Sequence, residues 1–136
     1  MIIFIDDEPR YITAYVQAFE LTGFEVLIIP DIDRAWEVIS TQTNEVDAIM
    51  LDVMMPPGRL LNMEDTMDGL RTGLAFLDRL KNLDERIPVV ILTNANKINF
   101  GKISHQNCLV YEKKEIDPWR LVDTMSEMKR RKKLND

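Results

Sequence analysis

Ile2-Ile3-Phe4-Ile5-Asp6-Asp7 opens the chain with four apolar residues followed by two carboxylates. The pattern recurs. Ala48-Ile49-Met50-Leu51 runs into Asp52, and Val89-Val90-Ile91-Leu92 ends on Thr93. Leu109-Val110-Tyr111 precedes Lys113-Lys114 by one residue. Short continuous apolar runs suit strands covered on both faces. In an open parallel sheet, ligands bind outside the carboxyl ends of the strands. Active side chains at four such ends therefore converge on one cleft. Three acids, a hydroxyl and an ammonium in one place point to a divalent cation and a phosphoryl group.

Strand-like and helix-like stretches alternate five times. The strands are expected over 2–5, 25–29, 47–51, 88–92 and 108–111. Ile12, Tyr15, Val16 and Phe19 share a helical face that Gly23 terminates. Ile32, Ala35, Trp36 and Ile39 repeat the spacing behind Asp31, a suitable N-cap. Leu74, Leu77 and Leu80 mark a third helix. A fourth helix is expected over residues 96–104, the least periodic stretch, interrupted by Gly101. Asp117-Pro118 reads as N-cap and first position of the last helix, with Leu121, Val122, Met125 and Met128 inward. Alternating strands and crossover helices predict one α/β domain with a parallel sheet.

The 136 residues are enough for one domain with a real core. Apolar residues make up 46% and charged residues 29%, the balance of a globular protein. No apolar run approaches the ~20 residues of a membrane span. The chain opens on a strand without a basic leader, so no secretory signal is expected. A net charge of −6 disfavours direct nucleic-acid binding. The basic stretch Lys129-Arg130-Arg131-Lys132-Lys133, within a basic C-terminal tail at 129–136, reads as a solvated helix end where cations complement the dipole. Cys108 is the one cysteine and reads as an inert packing residue, as in a reducing cytoplasm. The eight methionines read mainly as packing, and His105 as a surface residue.

These residues resemble the receiver domain of bacterial response regulators over essentially the whole chain. Asp6-Asp7-Glu8-Pro9 is similar to the acidic pair after the first strand. Leu51-Asp52-Val53-Met54-Met55-Pro56 is similar to the phosphoacceptor segment. Ile91-Leu92-Thr93 resembles the switch hydroxyl, and Tyr111-Glu112-Lys113-Lys114 with Asp117-Pro118 resembles the fifth strand and its lysine. The resemblance implies a doubly wound, flavodoxin-like five-stranded sheet in the order 2-1-3-4-5. It implies Asp52 as phosphoacceptor, with Mg²⁺ or Mn²⁺ held by Asp6, Asp7, Asp52 and the backbone carbonyl of Met54. Thr93, Tyr111 and a lysine would bind the phosphoryl group and switch the surface. Counting back from Asp117-Pro118 and Leu121 favours Lys114 over Lys113, with Glu115 where the family usually has proline. A sensor histidine kinase or phosphotransfer protein would be the donor, and a downstream protein the target. No output domain follows, so a stand-alone, cytoplasmic regulator is expected, acting neither at a membrane nor as an enzyme.

Three departures stand out. Residues 57–72 form a long segment before the family glycine, for which Gly73 fits the next helix better than Gly69. Long loops beside a site are often lids or partner surfaces. Asn94 stands where the family prefers a smaller residue. Met54 and Ala95 occupy the positions two past Asp52 and Thr93 that would orient a hydrolytic water, so a slowly decaying phosphorylated state is expected. Haloacid-dehalogenase phosphohydrolases need a second aspartate where this chain has Met54. A flavodoxin-like phosphate binder is disfavoured by Asp6-Asp7-Glu8. An interaction module on the same fold stays open.

Overall fold

The five apolar runs form five strands, β1 (Ile2–Ile5), β2 (Val26–Ile29), β3 (Ala48–Leu51), β4 (Val89–Thr93) and β5 (Cys108–Glu112). Among the described residues four α-helices accompany them, α1 (Thr13–Leu21), α2 (Ile32–Thr41), α3 (Thr72–Asp84) and α4 (Pro118–Leu134). The computed structural model describes residues 1–61, 65–84, 86–94, 107–113 and 115–134. The helix expected at 96–104, with Ala95, His105 and Lys114, lies outside the described residues. No described helix is long and apolar enough to cross a membrane.

All pairings are parallel and the order is β2-β1-β3-β4-β5, as the sequence predicts. The winding reverses at β1, whose neighbours are β2 and β3. This switch point opens a crevice at the carboxyl ends of β1 and β3. Ile5 pairs with Leu51 and Leu51 with Ile91, which brings the residues beyond these strands level with one another.

Residue parity divides each central strand between two cores. Ile3, Ile5, Ile49, Leu51, Val89 and Ile91 pack against Ile32, Ala35 and Ile39 of α2 and Phe76, Leu77 and Leu80 of α3. Ile2, Phe4, Ala48, Met50, Val90 and Leu92 pack against Val16 and Phe19 of α1 and Leu121, Val122 and Met125 of α4. Each such side chain contributes roughly 1.5–3 kcal/mol of apolar burial. Complete burial holds for β1, β3 and β4 only. Leu27 and Ile28 of β2, and Leu109 of β5, are exposed, because these strands form the sheet edges.

The helix ends follow local chemistry. Asp31 accepts the Arg34 N–H at 3.0 Å and Asp117 accepts the Arg120 N–H at 3.0 Å. Gly23, at φ +98°, closes α1 with bonds from its own N–H to Glu20 and from Phe24 N–H to Phe19. The basic stretch lies on the last turns of α4. Lys129 pairs with Asp47 at 3.0 Å, and Arg130 with Glu127 at 2.5 Å.

The segment after Pro56 is a docked loop. Asp33 of α2 accepts N–H bonds from Arg59 (2.8 Å) and Leu60 (2.8 Å), and Arg79 of α3 donates to the Leu60 carbonyl at 3.2 Å. Met55 N–H reaches Gly69 at 3.1 Å and Arg71 N–H reaches Thr66 at 2.7 Å. Met67, Asp68 and Gly69 all have positive φ, a run of left-handed residues that closes the turn. Between this loop and α3 lies a groove of about 570 Å³, lined by both apolar and charged residues.

Candidate functional site

A smaller cleft, about 190 Å³, lies at the switch point. Asp6, Asp7, Glu8, Tyr11, Asp52, Met54, Thr93, Asn94 and Lys113 line it. Size would favour the groove beside the loop. The chemistry is in the cleft, because that is where carboxylates, hydroxyl and ammonium converge.

The acids are held by main-chain amides. Asp6 Oδ1 accepts the Glu8 N–H at 2.9 Å, and Asp52 Oδ1 accepts the Val53 N–H at 2.8 Å. Asp52 N–H itself bonds to Ile5 at 3.0 Å, which fixes the β3 end against the β1 end. One carboxylate oxygen from each of Asp6, Asp7 and Asp52 lies within 4.8 Å of the other two. Burial, then the charge of Asp6, pushes the Asp52 carboxyl up to about 6, against the opposing pull of Lys113. The same two causes, in the same order, raise Asp7. Three crowded acids with a hard, all-oxygen donor set are suited to a divalent cation such as Mg²⁺.

Lys113 supplies the ammonium. Its Nζ lies 2.9 Å from Asp6 Oδ2, and the pair is nearly buried. Counting back from Asp117-Pro118 favours Lys114 for this place, whereas the described lysine in the cleft is Lys113. The reason is register. Thr93 pairs with Glu112, so Lys113 is the first residue beyond the sheet on β5 and its N–H bonds to Thr93 at 2.8 Å. Beyond it, Glu115 N–H bonds to the Glu112 carbonyl at 3.0 Å. Lys114 lies outside the described residues.

Thr93 is fully buried at the end of β4 and lines the cleft. Met54 borders the cleft and is half exposed. Tyr111 does not line the cleft. It sits beside Leu92 in β5 and packs on the α1/α4 core. Gly73, in the first turn of α3, touches the main chain of Asp52 and Val53. Cys108 is partly buried, and burial pushes its thiol up to about 12, which leaves almost no reactive thiolate at neutral pH. Glu8 and Tyr11 also line the cleft, and the sequence signal for them is their position just after the acidic pair.

The response regulator receiver domain profile matches residues 2–126. The chain belongs to the response regulator receiver domain family. It is therefore a receiver domain of the two-component type. Solved structures share the fold. A receiver domain protein from Clostridium thermocellum is 24% identical, with TM-score 0.73 over 99% of this chain and 98% of that one. A CheY-like receiver domain protein from Methanospirillum hungatei is 17% identical, with TM-score 0.70 over 99% of this chain and 97% of that one. NtrX from Brucella abortus is 23% identical, with TM-score 0.75 over 98% of this chain, which spans only 27% of NtrX. No curated protein matches the receiver in sequence.

Proposed function

We propose that this receiver domain accepts a phosphoryl group on Asp52 from a sensor histidine kinase or phosphotransfer protein, and thereby resets a surface read by a downstream protein. The observation that carries the reading is the convergence of Asp52 with Asp6, Asp7, Thr93 and Lys113 on one cleft. Val53 N–H holds Asp52 Oδ1, so we assign Oδ2 as the attacking oxygen. A new O–P bond forms as the donor's N–P bond breaks, and the electron pair returns to the imidazole. Asp6, Asp7, Asp52 and the Met54 carbonyl would hold Mg²⁺ or Mn²⁺. When bound, that ion supplies positive charge to the phosphoryl oxygens.

Lys113 places a compact cation at the same oxygens. Thr93 donates its hydroxyl to one of them, and Tyr111 follows the shift on the neighbouring strand, so charge at Asp52 is transmitted to the surface. Hydrolysis of free phosphoesters is not the assigned activity. Met54 stands where a phosphohydrolase would need its second carboxylate, and a thioether cannot act as general acid or base.

The test is intact-mass spectrometry after incubation with acetyl phosphate and Mg²⁺. One phosphoryl adduct is expected, and it is lost with EDTA or in Asp52→Asn. An adduct that persists in the Asn variant overturns the assignment.

The adduct is expected to decay slowly. Met54 presents no hydrogen-bonding side chain to an in-line water at the cleft mouth. Positioning of a reactant is worth up to several kcal/mol, so a side chain able to orient that water should matter. Met54→Asn is expected to speed decay about tenfold. Equal decay rates in the two proteins would mean that another group orients the water.

A further inference from the structure

We infer that Tyr15 is a positioning residue for the cleft lysine. Tyr15 lies on α1 and is 7% exposed, with its ring inside the α1/α4 core. Phenylalanine would fill that space equally well. A buried hydroxyl costs free energy unless it is hydrogen-bonded, so its presence calls for a partner. It has two. The Tyr15 hydroxyl faces the carbonyl oxygens of Lys113 (2.5 Å) and Ile116 (2.8 Å), nearly a hundred residues away along the chain. One proton is shared between these two acceptors, and the hydroxyl thereby pins both ends of the β5–α4 connection to α1.

The consequence falls on Lys113. Its N–H is bonded to Thr93 at 2.8 Å, its carbonyl to Tyr15, and its ammonium to Asp6 at 2.9 Å. The main chain of this lysine is thus fixed on both sides, by β4 and by α1. A long flexible side chain has many places to put its charge, and fixing its root reduces that number. Transfer to Asp52 requires the ammonium to move from Asp6 toward an incoming phosphoryl group. Tyr15 holds the base from which it moves. The Ile116 carbonyl gives the hydroxyl proton a second acceptor if the Lys113 carbonyl shifts during that movement, so the tether can yield without leaving a buried donor unpaired.

The kinetic part of this inference rests on the phosphoacceptor reading, and a second measurement is independent of it. Tyr15→Phe keeps the ring and removes only the oxygen. In the metal-free, ¹⁵N-labelled protein, the Lys113 ammonium is expected to give an exchange-protected signal that is lost or strongly weakened in Tyr15→Phe. With acetyl phosphate and Mg²⁺, the rate of adduct formation is expected to fall about tenfold, since a misplacement of about 1 Å can cost up to ~100-fold. The same substitution in a Lys113→Gln background is expected to change the rate little, because the lysine it positions is gone. An unchanged ammonium signal in Tyr15→Phe overturns the inference. So does an equal fall in rate in both backgrounds, which would show a general effect on the fold. If the wild type takes up no phosphoryl group, the proposed function fails and the ammonium signal alone decides the role of Tyr15.

Discussion

Gly73→Ala is expected to cost about 3 kcal/mol or more in stability and to disable the Asp52 site with it. A Cβ at this position would lie 2.2 Å from the Asp52 carbonyl oxygen, 2.7 Å from Val53 Cα and 2.9 Å from the Asp52 carbonyl carbon. All three are main-chain atoms, so no side chain can swing aside. Relief requires α3 to retreat from the end of β3. That helix is held there by Gly73 N–H to Val53 at 2.9 Å, by the Thr72 hydroxyl on the Met55 carbonyl, and by Phe76, which is completely buried. The segment that would be displaced in the other direction carries Asp52, the proposed phosphoacceptor. Gly23→Ala is the control. It also replaces a glycine, at φ +98°, yet nothing lies within 4 Å of the added carbon. Its cost is therefore backbone strain alone, about 1 kcal/mol. Urea unfolding of the two variants separates the effects. Similar midpoints would show that α3 can move away cheaply.

The same glycine illustrates what is legible in a sequence. Gly73 was distinguishable from Gly69 because it leads directly into the Leu74, Leu77, Leu80 periodicity, and the structure puts it within α3. The apolar runs of β1, β3 and β4 are legible as strands because short continuous apolar runs suit cover on both faces, which these three have. The helix starts at Asp31 and Asp117 are legible because a cap is a local interaction. What the sequence conceals is registration across distance. Lys113 and Lys114 differ by one residue, and it is the pairing of Thr93 with Glu112 that makes Lys113 the first residue beyond the sheet and brings it to the cleft. The exposure of Leu27 and Ile28 depends on which strands are edges, and composition does not encode that. Residues 57–72 read as a loop insertion because the anchor of Arg59 and Leu60, Asp33, lies on α2 and bonds to their main chain, not to any side chain that a motif could contain. Tyr15 reads as one more apolar position of α1, since helical periodicity records the ring and is silent about the hydroxyl.

Asp52→Asn is expected to stabilise the metal-free protein above pH 6 and to reverse that effect when Mg²⁺ is added. The carboxyl is raised from its ordinary 3.8 to about 6, first by burial and then by Asp6. The folded state therefore binds a proton more tightly than the unfolded chain does. The sign follows directly. Between about pH 4 and pH 6 the folded protein holds the extra proton, so wild-type stability falls as pH rises through that window, and above it the ionised carboxylate is a net burden. A shift of this size corresponds to at most about 3 kcal/mol, so a gain on the order of 1–3 kcal/mol is expected for the Asn variant at pH 8 in EDTA. Near pH 4 the two proteins should be nearly equal. Asparagine can still accept the Val53 N–H, and the Lys113–Asp6 pair is untouched, so the comparison isolates the charge. Mg²⁺ changes the balance because a cation that binds only the folded state stabilises it in proportion to its affinity. The wild type offers three carboxylates and the variant two. Added Mg²⁺ should therefore raise the wild-type midpoint well above its EDTA value and move the variant much less. Chemical denaturation at pH 4, 6 and 8, with EDTA and then with Mg²⁺, measures each arm. An Asn variant that is less stable than wild type at pH 8 in EDTA would mean that the carboxylate already has a strong cationic partner in the cleft. The strain between the three acids would then not be what drives the site to take up a cation.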